Sequence, residues 1–153
     1  MGNTYTQIHL QLIFAVKYRA ALIAPSWKLE LYKYISKIIT ENKHKLIIIN
    51  GVPDHLHILI GMRPHQALSK LLQEIKGDSS KWINDSCKTE RHFNWQDGFG
   101  AFSYSKSDLP NVINYIKNQE QHHKKISFIE EYKEFLDRFE VDYDERYLLG
   151  HPE

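Results

Sequence analysis

The amino-acid sequence predicts an α+β fold of the ferredoxin-like (RRM-like) type: a β-α-β-β-α-β sandwich whose four-stranded antiparallel sheet carries helices on one face, with further helices at its C-terminal end. Three observations point there. A period-two apolar alternation opens the chain, two β-rich runs in its middle are joined by a turn, and apolar residues recur at helical spacing on either side of that pair.

In chain order, Ile8, Leu10, Leu12, Phe14 and Val16 alternate with His9, Gln11, Ile13, Ala15 and Lys17, the pattern of a half-buried strand. After Pro25-Ser26, with Ser26 placed to cap, Trp27, Leu31, Tyr34, Ile35, Ile38 and Ile39 trace one helix face. Lys45 to Asn50 is a second strand, Gly51-Val52-Pro53-Asp54 a turn, and His55 to Ile60 a third strand antiparallel to it. Leu68, Leu71, Leu72, Ile75, Ser79, Trp82 and Ile83 mark a second helix, although Gly77 inside it costs about 1 kcal/mol against alanine. Phe99 to Tyr104 is a fourth strand. Ser107 or Asp108 caps a third helix with the stripe Leu109, Val112, Ile113 and Ile116. The capping box Ser127-Phe128-Ile129-Glu130 starts a last helix, which buries Phe128, Tyr132, Phe135, Leu136 and Phe139. In this topology the third strand is central, and the sheet face away from the helices is free to take a ligand.

A chain of 153 residues, 42% hydrophobic and 25% charged, fits one globular domain over 1–153. Its core lies at about 5–125, followed by a helix and acidic tail at about 127–153. No apolar run is long enough to cross a membrane and no signal-peptide pattern opens the chain, so the expected location is cytoplasmic. The single Cys87 suits a reducing compartment. Met1-Gly2-Asn3-Thr4-Tyr5-Thr6 matches a myristoylation pattern but runs straight into the first strand, and is set aside. A net charge of +1 is low for a nucleic-acid binder. Local lysines would be masked in that sum by Glu130, Glu131, Glu134, Asp137, Glu140, Asp142, Asp144 and Glu145, read as a solvated acidic tail.

The chemistry starts at Pro53-Asp54-His55-Leu56-His57. Residues i and i+2 of a strand share a face, so two imidazoles stand side by side on a rigid support. On the third helix, Tyr115 and Gln119 fall roughly 110° and 70° from the centre of the apolar stripe, one turn apart on the same flank. His122 and His123 follow along that flank. Two imidazoles and an amide oxygen form a mixed donor set that tolerates magnesium or manganese and leaves positions for phosphate oxygens. A tyrosine beside such an ion is a nucleophile suited to a phosphodiester, because its phenol also leaves again.

Pro53-Asp54-His55-Leu56-His57, followed by Tyr115-Ile116-Lys117-Asn118-Gln119, resembles the single-tyrosine HUH transposases of the IS-two-hundred-like insertion sequences, including relatives associated with repetitive extragenic palindromes. Lys17-Tyr18-Arg19 and Trp95-Gln96-Asp97-Gly98-Phe99-Gly100 are also similar to family members, and the resemblance runs from Tyr5 to Tyr132. It implies a metal-dependent single-stranded DNA endonuclease and strand transferase. By position, His55, His57 and Gln119 would hold one Mg2+ or Mn2+, and Tyr115 would form a 5′-phosphotyrosine that a second 3′-hydroxyl reseals. The implied partner is single-stranded DNA with hairpin ends, and the implied assembly is a homodimer whose site is completed within or across subunits. Lys17, Arg19, Lys76, Lys81 and Lys117 are the phosphate-contact candidates, on charge and placement.

Two other readings fit parts of the sequence. Gly98-Phe99-Gly100-Ala101-Phe102-Ser103-Tyr104 partly imitates the aromatic signature of a non-catalytic RRM-like module, although Asp97 stands where that signature is basic. His55 and His57 with His122 or His123 would instead make a zinc phosphodiesterase that uses water.

Overall fold

The computed structural model describes residues 3–148. Its strands are β1 (His9–Ala15), β2 (Lys45–Val52), β3 (His55–Gly61) and β4 (Gly100–Tyr104). They form one antiparallel sheet in the order β2-β3-β1-β4, the arrangement that the element order predicts. Helix α1 (Lys28–Glu41) connects β1 to β2, and α2 (Leu68–Asp85) connects β3 to β4. Beyond the sheet come α3 (Leu109–Lys117), α4 (Gln119–His122) and α5 (Phe128–Arg138). No helix among the described residues is long and apolar enough to cross a membrane. Gly2, the acceptor of the myristoylation pattern, lies outside the described residues.

Strand alternation sorts the side chains into two layers. Leu12, Phe14, Leu56, Ile58 and Ile60 face α1 and α2, where they pack with Leu31, Ile35, Leu71 and Ile75 in a dry core. The opposite face is not free for a ligand, as the sequence suggested, but is covered by the C-terminal helices. Ile13, Ala15 and Phe102 pack with Phe128, Phe135 and Leu136 of α5, and Leu59 packs with Val112 and Ile116 of α3. The physical reason is in the strands: Ile13, Leu59 and Phe102 are apolar positions on the histidine face and need cover as much as their neighbours do. Phe102 lies under the rings of Phe135 and Phe139 at 5.2 and 4.9 Å, so it offers no open platform for stacking bases.

The turn into β3 is tighter than the sequence indicated. Gly51 and Val52 remain in β2, paired with Leu56 and His55, and only Pro53-Asp54 makes the turn. A Cβ on Gly51 would stand 2.3 Å from the carbonyl oxygen of His55, so this position requires glycine. The register then sets Asn50 opposite His57 on one side and Ile13 opposite it on the other.

The helix starts differ in how they are capped. Ser127 Oγ accepts from the Glu130 amide at 3.2 Å and caps α5 as expected. At α1 the cap position is Trp27, one residue past Ser26, and no side chain caps it. At α3 a 3-10 turn over Lys106–Asp108 feeds directly into the helix and Pro110 fills its first turn, so the missing amide donor makes a side-chain cap less necessary.

Candidate active site

His55 and His57 project from β3 into the second layer with no exposed surface. Each ring is anchored through Nδ1: that of His55 donates to Asp54 Oδ1 at 2.7 Å, and that of His57 lies 2.8 Å from Gln11 Nε2. Gln11 is held in turn by the Tyr104 hydroxyl, which donates to its Oε1 at 2.8 Å. His123, just past α4, donates from Nδ1 to the carbonyl of Ile126 at 2.9 Å. With all three Nδ1 atoms engaged, the three Nε2 atoms point at one place.

That place is the carboxylate of Glu131. Its Oε1 lies 3.2 Å from His55 Nε2, 2.9 Å from His57 Nε2 and 3.0 Å from His123 Nε2. The last approach lacks hydrogen-bond geometry, leaving His123 Nε2 buried and unpartnered. The second oxygen, Oε2, accepts a short hydrogen bond from the Tyr115 hydroxyl and one from Gln119 Nε2 at 3.0 Å. His122 Nε2 completes this side, 3.1 Å from the Tyr115 oxygen. Gln119 is not on α3 as the sequence suggests, because that helix stops at Lys117; it opens α4, is fully buried and sets its Oε1 3.3 Å from His55 Nε2.

The electrostatics follow from this packing. Burial works to raise the Glu131 carboxyl, but the imidazoles of His123, His55 and His57 around it outweigh that effect and hold the group far below the carboxylate range. Burial, reinforced by the negative charge of Glu131, pushes the Tyr115 phenol well above its ordinary value. Burial also lowers His57, whereas in His55 the same effect is overcome by the Asp54 and Glu131 partners. Nε2 of His55, His57 and His123 and one oxygen of Glu131 all lie within 4.8 Å of one another. Three ring-anchored imidazoles, one of them with an orphaned buried nitrogen, plus a carboxylate form a donor set that fits a divalent cation.

The structure thus brings His55, His57, Gln119 and Tyr115 together within one chain, and adds two residues. His123, on the flank that the sequence offers for further ligands, is one of them. Glu131, which the sequence groups with an acidic tail, is 1% exposed at the centre of the site. Its spacing carried the missing signal: it lies three residues after Phe128 and four before Phe135, a charge inside the apolar stripe of α5.

The expected phosphate contacts fare differently. Lys76 donates to the carbonyls of Gln96 at 2.6 Å and Gly98 at 2.7 Å, clamping the segment before β4, so its ammonium is committed within the fold. That segment is also pinned by Trp95, whose indole donates to Ser79 Oγ at 2.9 Å. Lys81 pairs with Asp85 at 2.6 Å, and Lys17 lies 5.4 Å from the ring of Tyr18. Arg19 is engaged as well. Of the five, Lys117 is exposed at the end of the tyrosine helix and has no ion pair among the described residues.

Solved structures share this fold. A crystal structure of a Deinococcus radiodurans protein assigned as a transposase aligns with a TM-score of 0.61 and 23% identity, covering 78% of this chain and 96% of that one. A REP-associated tyrosine transposase bound to a REP hairpin aligns with a TM-score of 0.61 and 16% identity, covering 82% and 74%. In sequence, the chain is 29% identical over 123 residues to the ISDra2 transposase TnpA of Deinococcus radiodurans, covering 77% of this chain and 87% of that protein. The family model described as "Transposase IS200 like" matches residues 4–119, which take in the histidine strand, Tyr115 and Gln119. With that match over most of its length, the chain belongs to the IS200-like transposases.

Proposed function

We propose that the chain nicks and rejoins single-stranded DNA through a 5′-phosphotyrosine link on Tyr115. One observation carries this reading: a single buried carboxylate, Glu131, meets the three imidazoles through one oxygen and the phenol through the other. His55, His57, His123 and Glu131, with Gln119 alongside, would hold one divalent cation. Bound there, it would supply a Lewis acid for a phosphodiester oxygen. Magnesium prefers oxygen ligands, so a set with three imidazoles favours manganese.

The protein groups have separable tasks. Tyr115 forms the new bond to phosphorus as the bond to the 3′ oxygen breaks, releasing a 3′-hydroxyl. Glu131, strongly ionised, orients the phenol by accepting its hydrogen bond. His122, on the same oxygen and with its side chain 29% exposed, is the route by which the proton departs. In the return step a 3′-hydroxyl attacks the phosphotyrosine and the phenol leaves, which conserves the bond energy without ATP.

The partner is single-stranded DNA with hairpin ends, a reading supported by the hairpin-bound relative of the same fold. Tyr115 reaches its own chain's His57, with ring centroids 5.9 Å apart, which supports a complete site in each subunit of a homodimer. A cytoplasmic location, with access to DNA, belongs to this reading.

The test is a labelled single-stranded hairpin incubated with manganese or magnesium and run on a denaturing gel. A protein–DNA adduct is expected, and Tyr115→Phe abolishes it. The His/Glu cluster is also a fair zinc hydrolase site. Cleavage without any adduct would establish that alternative, and an adduct surviving Tyr115→Phe would move the nucleophile elsewhere.

A further inference from the structure

The three imidazoles that converge on Glu131 are not held alike. His55 Nδ1 faces the Asp54 carboxylate at 2.7 Å, and His123 Nδ1 faces the carbonyl of Ile126 at 2.9 Å. Both partners can only accept, so each Nδ1 keeps its proton and each Nε2 is the nitrogen that can bare a lone pair to a cation. His57 is set the other way. Its Nε2 lies 2.9 Å from Glu131 Oε1, an acceptor, and its Nδ1 lies 2.8 Å from Gln11 Nε2, a donor. The proton of this ring therefore sits on Nε2. To offer Nε2 to a cation, the ring must first take up a proton on Nδ1.

Gln11 makes that exchange possible. It is fully buried on β1, and its flat amide carries an acceptor and a donor that a half-turn interchanges. At present its Oε1 accepts from the Tyr104 hydroxyl at 2.8 Å. After the half-turn, Oε1 would accept from His57 Nδ1 and Nε2 would donate to the Tyr104 oxygen, since a phenol accepts as well as donates. Burial pushes the Tyr104 phenol up to about 12, so it keeps its proton and needs a new acceptor for it. A cavity of about 220 Å³, lined by Gln11, Tyr104, Asn111 and Tyr115 among others, gives the hydroxyl room to turn toward one. The proton count balances: one leaves His57 Nε2 for water, one arrives on Nδ1 from water, and the charge of the ring is unchanged.

We propose that Gln11, backed by Tyr104, is a positioning residue that selects the tautomer of His57: its amide holds the ring closed to a cation in the metal-free chain and turns over when a cation binds. The proposal rests on the divalent-cation site of the preceding reading but not on its covalent DNA chemistry. Long-range proton–nitrogen NMR of the full chain distinguishes the two nitrogens of each ring. Without metal, His57 should carry its proton on Nε2. With Zn2+, a diamagnetic probe that imidazoles bind, the proton should lie on Nδ1. Affinity for Zn2+ is measured separately, by competition with a chromophoric chelator. Gln11→Met, which can neither donate nor accept as an amide does, should weaken it about 10–100-fold. Gln11→Glu, which only accepts, should fix a proton on Nδ1 before metal is added and bind Zn2+ at least as tightly as the parent chain.

A proton already on Nδ1 of His57 in the metal-free chain overturns the proposal, and so does a His57 ring that Zn2+ leaves unchanged. Both results come from the parent chain and stand even where a variant fails to fold. Equal losses of affinity in the two variants also overturn it, because they would reduce Gln11 to a packing residue. If the tautomer exchanges and no Tyr115 adduct ever forms, the transfer reading fails and the role of Gln11 stands. If the adduct forms and His57 keeps its Nε2 proton in Zn2+, the reverse holds.

Discussion

The two faces of the central strands are buried to the same degree and built on opposite terms. On β3, Leu56, Ile58 and Ile60 point to one side and His55 and His57 to the other, all with no exposed surface. The first face packs against apolar side chains of α1 and α2. The second meets Glu131, Gln119 and Tyr115, and the ring nitrogens of His55 and His57 are all held by polar partners. Removing a polar group from water costs several kcal/mol unless its hydrogen bonds are replaced, so such a network persists only when nearly complete. The apolar face supplies stability without chemistry. The polar face keeps a reactive constellation dry and rigid, on backbone that the apolar face already fixes.

That contrast can be broken in stages. The largest effect should come from Tyr115→Phe, which removes one oxygen from the polar face: adduct formation falls below detection while the melting temperature hardly moves. Glu131→Gln comes next. It keeps the shape of the side chain but removes the charge that joins imidazoles to phenol, so adduct formation should fall on the order of a hundredfold and the metal-induced rise in melting temperature should shrink. The same variant sharpens a pH argument. Glu131 has a depressed folded-state pKa, so its contribution is present above the unfolded value of about 4.3 and lost as pH falls below it. Acid unfolding of the metal-free chain should be less steep in Glu131→Gln, as followed by circular dichroism.

Ile58→Ala makes the converse cut, through the apolar face. It should cost about 2–5 kcal/mol in urea unfolding, and at temperatures where the variant stays folded the adduct should still form. The smallest effect concerns α2, which backs the apolar face. Gly77 has no atom within 4 Å of where a Cβ would stand, so Gly77→Ala should stabilise by about 0.5–1 kcal/mol without touching the polar face.

The sequence exposed one face of this comparison more plainly than the other. Leu12, Phe14, Leu56 and Ile58 announce the apolar core by simple alternation, because burial against a helix layer needs only the right period. His55, His57, Tyr115 and Gln119 stood out as a set because their residue types are rare in that order, although neither pair is informative alone. Glu131 was hidden by its company: amid seven other acids it looked solvated, and only its place between Phe128 and Phe135 told otherwise. Lys76 is ambiguous in sequence for a related reason, since a lysine that clamps two carbonyls and one that meets phosphate share the same letter.

By itself the sequence determined the sheet, its helices, the paired imidazoles and the tyrosine helix, because local periodicity and turn chemistry dictate each of these over a few residues. Only the tertiary structure decided that α5 closes over the histidine face and that it delivers Glu131 to the centre of that face. Those outcomes depend on which segments, far apart in the chain, are brought together to cover apolar surface, and no local pattern encodes that choice.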